Sequence, residues 1–117
     1  MSMKVLIRIV TELTGVSSES IRGPGRLKHM AHARSVVFWV ACRTMRKTHS
    51  VHAIGREINR DHSTVLCSFK KAELRRESDL RYRSLTDDTL AMYVLRREEQ
   101  RTELKAACHR LALELRS

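Results

Sequence analysis

Arg60-Asp61-His62-Ser63-Thr64 sets a cation, a carboxylate, an imidazole and two hydroxyls in succession, and the apolar pair Val65-Leu66 follows. Hydrogen-bonding side chains grouped ahead of an apolar run predict the first turn of a helix that meets a polar surface. Free N–H groups and the positive end of the dipole make such a turn attractive to phosphate, and its side chains reach base edges. Just upstream, Ser50-Val51-His52-Ala53-Ile54-Gly55-Arg56-Glu57-Ile58 reads as a second short helix. Val51, Ile54 and Ile58 would face inward, and Gly55 would let a partner approach closely. A pair of helices joined by a tight polar turn is the helix-turn-helix arrangement. In it the start of the second helix contacts bases in the major groove while the first helix crosses the backbone.

The residue types suit those tasks. Arg60 offers two parallel hydrogen bonds to guanine, or one to a phosphate. Asp61 accepts either from a cytosine amino group or from the N–H groups of its own helix as a cap. His62 and Ser63 are first-turn residues suited to bases, and Thr64 has a hydroxyl and a methyl that packs on a thymine methyl. Capping alone favours Asp, Ser and Thr at helix starts, so no single residue carries the reading. The unbroken polar run inside a basic chain carries it.

Other cations surround this core. Arg26 and Lys28 follow the break at Gly23-Pro24-Gly25. A stiff loop carrying cations fits a minor groove, though it equally describes a solvated basic loop. Arg34, Arg43, Arg46 and Lys47 are candidate phosphate contacts, which fix register without reading sequence. Ser50, at the cap of the first helix of the pair, and Lys70 and Lys71, on the outer side of the second, complete the candidate set.

The elements that position these residues are predicted to be helical throughout. Residues 3–14 place Met3, Leu6, Ile7, Val10 and Leu13 at helical spacing, and Gly15 ends that helix. Residues 17–21 form a capped turn of helix. A longer helix over residues 29–46 buries Met30, Ala33, Val37, Val40, Ala41 and Met45, with Phe38 and Trp39 beside them and Arg34, Arg43 and Arg46 on or near the other face. Thr48, His49 and Ser50 provide the cap of the next helix. The recognition helix spans residues 61–77, with Val65, Leu66, Phe69 and Ala72 inward and Lys70, Lys71, Arg75 and Arg76 outward. Residues 78–85 read as irregular. Thr86-Asp87-Asp88 then starts a last helix over residues 87–116, about 45 Å if unbroken. Only its end is heptad-like, through Leu104, Cys108, Leu111 and Leu115.

The 117-residue chain is long enough for one modest core, aliphatic because aromatic residues make up 4%. One proline and four glycines favour an all-α fold. The net charge of +10 is confined to residues 1–85, with 17 Lys/Arg against 7 Asp/Glu, whereas residues 86–117 hold six of each. A basic body suits a polyanion, and a neutral tail suits protein. The expected division is therefore a DNA-binding domain over residues 1–85 and a helix for dimerisation or partner binding over residues 86–117. Cys42, Cys67 and Cys108 lack zinc or redox spacing and read as small apolar fillers in a reducing compartment. No signal peptide or membrane-length apolar run is present, which predicts a cytoplasmic, nucleoid-associated protein without membrane contact. His29, His32, His49, His52, His62 and His109 lack the Ser, Cys or carboxylate partners of a catalytic site, so no enzyme, metal or cofactor is expected.

The run Arg60-Asp61-His62-Ser63-Thr64-Val65-Leu66 resembles the signature of the C-terminal DNA-binding domain of the bacterial replication initiator DnaA. Ile21-Arg22-Gly23-Pro24-Gly25-Arg26 resembles that family's basic loop, residues 33–41 its long helix, and residues 50–55 the first helix of its pair. The resemblance covers roughly residues 5–76. It implies a Trp-repressor-like helix-turn-helix that recognises a short asymmetric duplex box. By position it implies Arg26 in the minor groove, residues 60–64 in the major groove, and Lys28 and Arg34 on the backbone. The family's aromatic-Gly-Gly-Arg turn is one residue shorter here, as Ile58-Asn59-Arg60. Ser35 replaces the usual glutamine, and Cys42 a frequent basic residue. No Gly-rich lysine loop for ATP occurs. The expectation is a standalone, ATPase-free, sequence-specific double-stranded DNA binder that regulates replication initiation or transcription. The alternative is an adaptor or competitor at the replication machinery, acting through the C-terminal helix as a homodimer or by binding a replication protein.

Overall fold

The computed structural model describes residues 2–45 and 49–116. Arg46, Lys47 and Thr48, for which phosphate contact and capping are expected, lie outside the described residues. Six helices follow in order: α1 (Ser2–Thr14), α2 (Ser18–Arg22), α3 (Lys28–Thr44), α4 (Val51–Glu57), α5 (His62–Ser78) and α6 (Leu80–Arg116). The described residues contain no strand, so the all-α expectation holds.

α3 is the central rod. Every residue from Ala33 to Cys42 except Ser35 is buried, because α1, α2, α4, α5 and α6 surround it. That explains its weak amphipathicity, since a helix covered on all sides has no solvent face to pattern. α1 adds Met3, Leu6, Ile7, Ile9 and Val10 to the core, while Leu13, expected inward, is 39% exposed at the helix end. Gly15 closes α1 with φ +77°, its N–H donating to the Thr11 carbonyl at 2.9 Å. This left-handed cap is where glycine has no steric cost. Ser17 caps α2 by accepting from the Ser20 N–H at 3.1 Å.

The structure corrects the reading of residues 78–88. Helix resumes at Leu80 after a single extended residue, Asp79, whose carboxylate accepts from the Tyr82 N–H at 3.1 Å. Asp79 is thus the cap of α6, and Thr86 is no cap. Thr86 and Thr89 are fully buried within the helix, their hydroxyls donating to the Tyr82 and Leu85 carbonyls at 2.9 and 2.7 Å. A threonine that bonds one turn back satisfies itself and tolerates a core position. Tyr82 and Tyr93 are buried with them, so the first half of α6 closes the core, and the 85/86 division falls inside one helix.

Arg76, expected outward, packs 4.1 Å over the Trp39 ring and donates to Thr86 Oγ1 and to Asp87 Oδ1 at 2.8 Å. Trp39 Nε1 donates to Glu73 Oε1 at 3.0 Å. These contacts rivet α5 to both α3 and α6. Beyond Arg97 nearly every residue of α6 is exposed, and the molecule measures 58 × 28 × 25 Å.

Candidate nucleic-acid interface

α4 and α5 form the helix-turn-helix. Ser50 caps α4, its hydroxyl accepting from the Ala53 N–H at 3.1 Å. Ile54 and Ile58 anchor α4 in the core, with Val51 half-buried. The turn is Ile58-Asn59-Arg60, and Asn59 adopts φ +55°, a left-handed conformation that asparagine tolerates better than most residues. The Arg60 N–H then closes back onto the Gly55 carbonyl at 2.8 Å. Gly55 is required here, because a Cβ would collide with the Arg60 carbonyl and lie 3.3 Å from Val65.

α5 starts from Asp61, whose backbone is in the extended conformation of a cap. Its carboxylate accepts from Ser63 Oγ and lies 3.3 Å from His62 Nδ1. The Ser63 hydroxyl, more than the nearby His62, holds the Asp61 carboxyl below the usual range. The carboxylate is therefore engaged with its own helix start, while His62, Ser63 and Thr64 are exposed. The His62 ring stacks on His52 of α4, with centroids 4.1 Å apart and planes at 24°. Nothing in the spacing of two histidines on separate helices signals that pair.

The basic loop between α2 and α3 flanks this helix start. Arg26 and Lys28 are exposed, Lys28 as the first residue of α3. Arg34, expected at an exposed backbone contact, is instead 7% exposed. Its guanidinium donates to the carbonyls of Ile21 (2.8 Å), Gly25 (2.6 Å), Ser20 (2.7 Å) and Gly23 (2.9 Å). Those groups are the orphan C-terminal carbonyls of α2 and the start of the loop, so one planar fork caps a helix and shapes a turn. Burial, then the nearby Arg60, pushes Arg34 below the usual arginine range.

Arg60 is also turned inward. It donates to the Ile58 and Asn59 carbonyls at 3.1 Å each and to the Gly23 carbonyl at 2.7 Å. Asn59 Nδ2 adds a bond to the Arg22 carbonyl at 3.2 Å. The loop and the turn are thereby tied together, a feature residue types alone did not reveal.

Lys70 and Lys71 are exposed along α5. Lys71 joins Lys28, His29, His32, Ser63 and Arg75 around a groove of about 1090 Å³ between α3 and α5, floored by Tyr82. Burial, then the Arg75 charge, holds His32 below the usual histidine range, and burial raises the Tyr82 phenol. Arg43 is exposed, 5.5 Å over the Trp39 ring. Only Cys42 is a buried filler, since Cys67 and Cys108 are exposed.

The family described as bacterial dnaA protein helix-turn-helix matches residues 3–72, from α1 into α5. The chain belongs to this family. Among DnaA relatives, the chromosomal replication initiator protein of Mycobacteroides abscessus is 31% identical over 70 residues, 60% of this chain and 14% of that protein. That of Pelobacter propionicus is 28% identical over 88 residues, 74% of this chain and 19% of that protein. The chain therefore spans less than a fifth of the length of these curated relatives. The match to the DnaA helix-turn-helix family takes in the basic loop, Arg34 and the first turn of α5, whereas α6 lies beyond it. No helix among the described residues is long and apolar enough to cross a membrane.

Proposed function

We propose that this chain reads short sites in double-stranded DNA. The first turn of α5 lies in the major groove, with His62, Ser63 and Thr64 on base edges and Asp61 fixing their start. Arg26 enters the adjoining minor groove. Lys28, Ser50, Lys70 and Lys71 meet phosphates. The observation that carries this reading is the exposed polar first turn of α5 held beside the exposed Arg26 loop by the Arg60 and Asn59 bonds. Affinity then comes from phosphate neutralisation and specificity from the two groove contacts.

The biological setting this reading implies is control of replication initiation or of transcription at the nucleoid, by occupying sites of the kind a DnaA initiator uses. A second reading has its own support. Leu104, Leu111 and Leu115 are 68%, 58% and 86% exposed on the free end of α6. That face suits a second copy or a replication protein, which would make the chain an adaptor or competitor. Selection of bound duplexes from a random pool tests the DNA reading. Enrichment of one short asymmetric motif, lost on His62→Ala, supports it, and a pool without enrichment rejects it.

A further inference from the structure

Two guanidinium groups converge on one backbone carbonyl. Gly23 O accepts from Arg34 Nη2 at 2.9 Å and from Arg60 Nη2 at 2.7 Å. Two cations at one acceptor repel, and the arrangement persists because each has further carbonyl partners. Arg34 holds the loop to α3 from within the core. Arg60 holds the same loop to the turn that launches α5, and Asn59 reinforces it through the Arg22 carbonyl.

We infer that Arg60 is a positioning residue that locks the Arg26 loop to the start of α5, so that minor-groove and major-groove contacts are made by one rigid unit. The inference rests on the DNA reading above but departs from the expected role of Arg60. Bidentate recognition of guanine needs two N–H groups directed at the base. Here three of the five N–H groups of Arg60, both on Nη1 and one on Nη2, go to the protein's own carbonyls, of Ile58, Asn59 and Gly23, which fixes the guanidinium against the loop. The geometry of the turn supports this role. With Asn59 alone in the left-handed conformation and Gly55 closing the bend, the Arg60 side chain leaves the turn on the side of the loop.

Locking matters because an unrestrained loop loses freedom each time Arg26 enters a groove, and that loss subtracts from affinity. Once the lock is cut, Arg26 becomes a contact whose gain is offset by ordering. Coupling between Arg60 and Arg26 is then required even though Arg60 touches no base.

A double-mutant cycle on DNA binding by the full chain tests this, using the wild-type selected duplex. Arg26→Ala is expected to weaken binding about 10-fold in the wild-type background and less than about 2-fold in the Arg60→Ala background, a coupling within the range seen for residues of one network. Arg60→Lys retains the charge but lacks the fork, so it should behave as Arg60→Ala. The Gly23 amide, which donates to the Glu19 carbonyl, should exchange faster in both Arg60 variants, while discrimination at base pairs that depend on His62 persists. Additive losses, or a loss confined to one base pair that becomes neutral to substitution in Arg60→Ala, would overturn the inference and restore Arg60 as a base reader. Failure of the DNA reading itself looks different, because wild-type protein then shows no preferred duplex. Thermal melts of each variant separate lost folding from lost coupling.

Discussion

At the scale of single residues, the site depends on groups that never reach its surface. Arg34 satisfies four carbonyls of α2 and the loop, and truncation removes its bonds to Ser20, Ile21 and Gly25 and leaves Gly23 with Arg60 alone. Arg34→Ala should cost about 3 kcal/mol, measured by urea unfolding, with Arg34→Lys recovering only a minor part. Gly55→Ala forces a Cβ onto the Arg60 carbonyl and should destabilise by about 2 kcal/mol. Its larger effect falls on DNA binding, because the bend that aims α5 must open. Asp61 provides a pH test. Its carboxyl is depressed, chiefly by the Ser63 hydroxyl, so its contribution to stability is present above the ordinary carboxylate range and is lost as pH falls through the folded value. Ser63→Ala should move the Asp61 titration upward, as read by carboxyl carbon NMR. An unchanged titration would show that the hydroxyl is not the cause.

The element scale shows what sequence pattern could and could not convey. α1, α2, α4 and α5 were legible to within a residue or two, because Gly15, Ser17, Ser50 and Asp61 are capping types at the right places. Arg34 misled because a charged residue in an apolar helix reads as a solvent face. Its partners are carbonyls 9 to 14 residues away, which no periodicity encodes. Arg76 misled in the same way, its partners lying 10 and 11 residues ahead on α6. Thr86 followed by two aspartates imitates a helix start, whereas the cap is Asp79, a single extended residue between two helices. Asp79→Ala should fray the start of α6, seen as faster amide exchange at residues 80–83 with the rest of the helix protected. Truncation after Arg97 removes only the projecting end, so the melting temperature should change by less than about 4 °C. A larger drop would mean that the projecting end packs on the core.

For the whole molecule, charge and architecture agree. The +10 of residues 1–85 belongs to the unit that carries the candidate interface, and the neutral remainder closes the core and projects from it. The candidate site was legible as a list of residues but not as a mechanism. Residues 61–64 and Arg26 are exposed where expected, whereas the buried Arg34 and the half-buried Arg60 form a scaffold between them. Lys70→Ala and Lys71→Ala should each lower the slope of log affinity against log salt by about one, with the ranking of duplexes unchanged. The central claim is that this DnaA-family chain discriminates between duplexes through the α5 start. Fluorescence anisotropy with an initiator-type box and a scrambled duplex, at two salt concentrations, tests it most directly. The account predicts a preference for the box that survives the higher salt and disappears in His62→Ala. Equal, salt-sensitive binding to both duplexes, unaffected by His62→Ala, would contradict it.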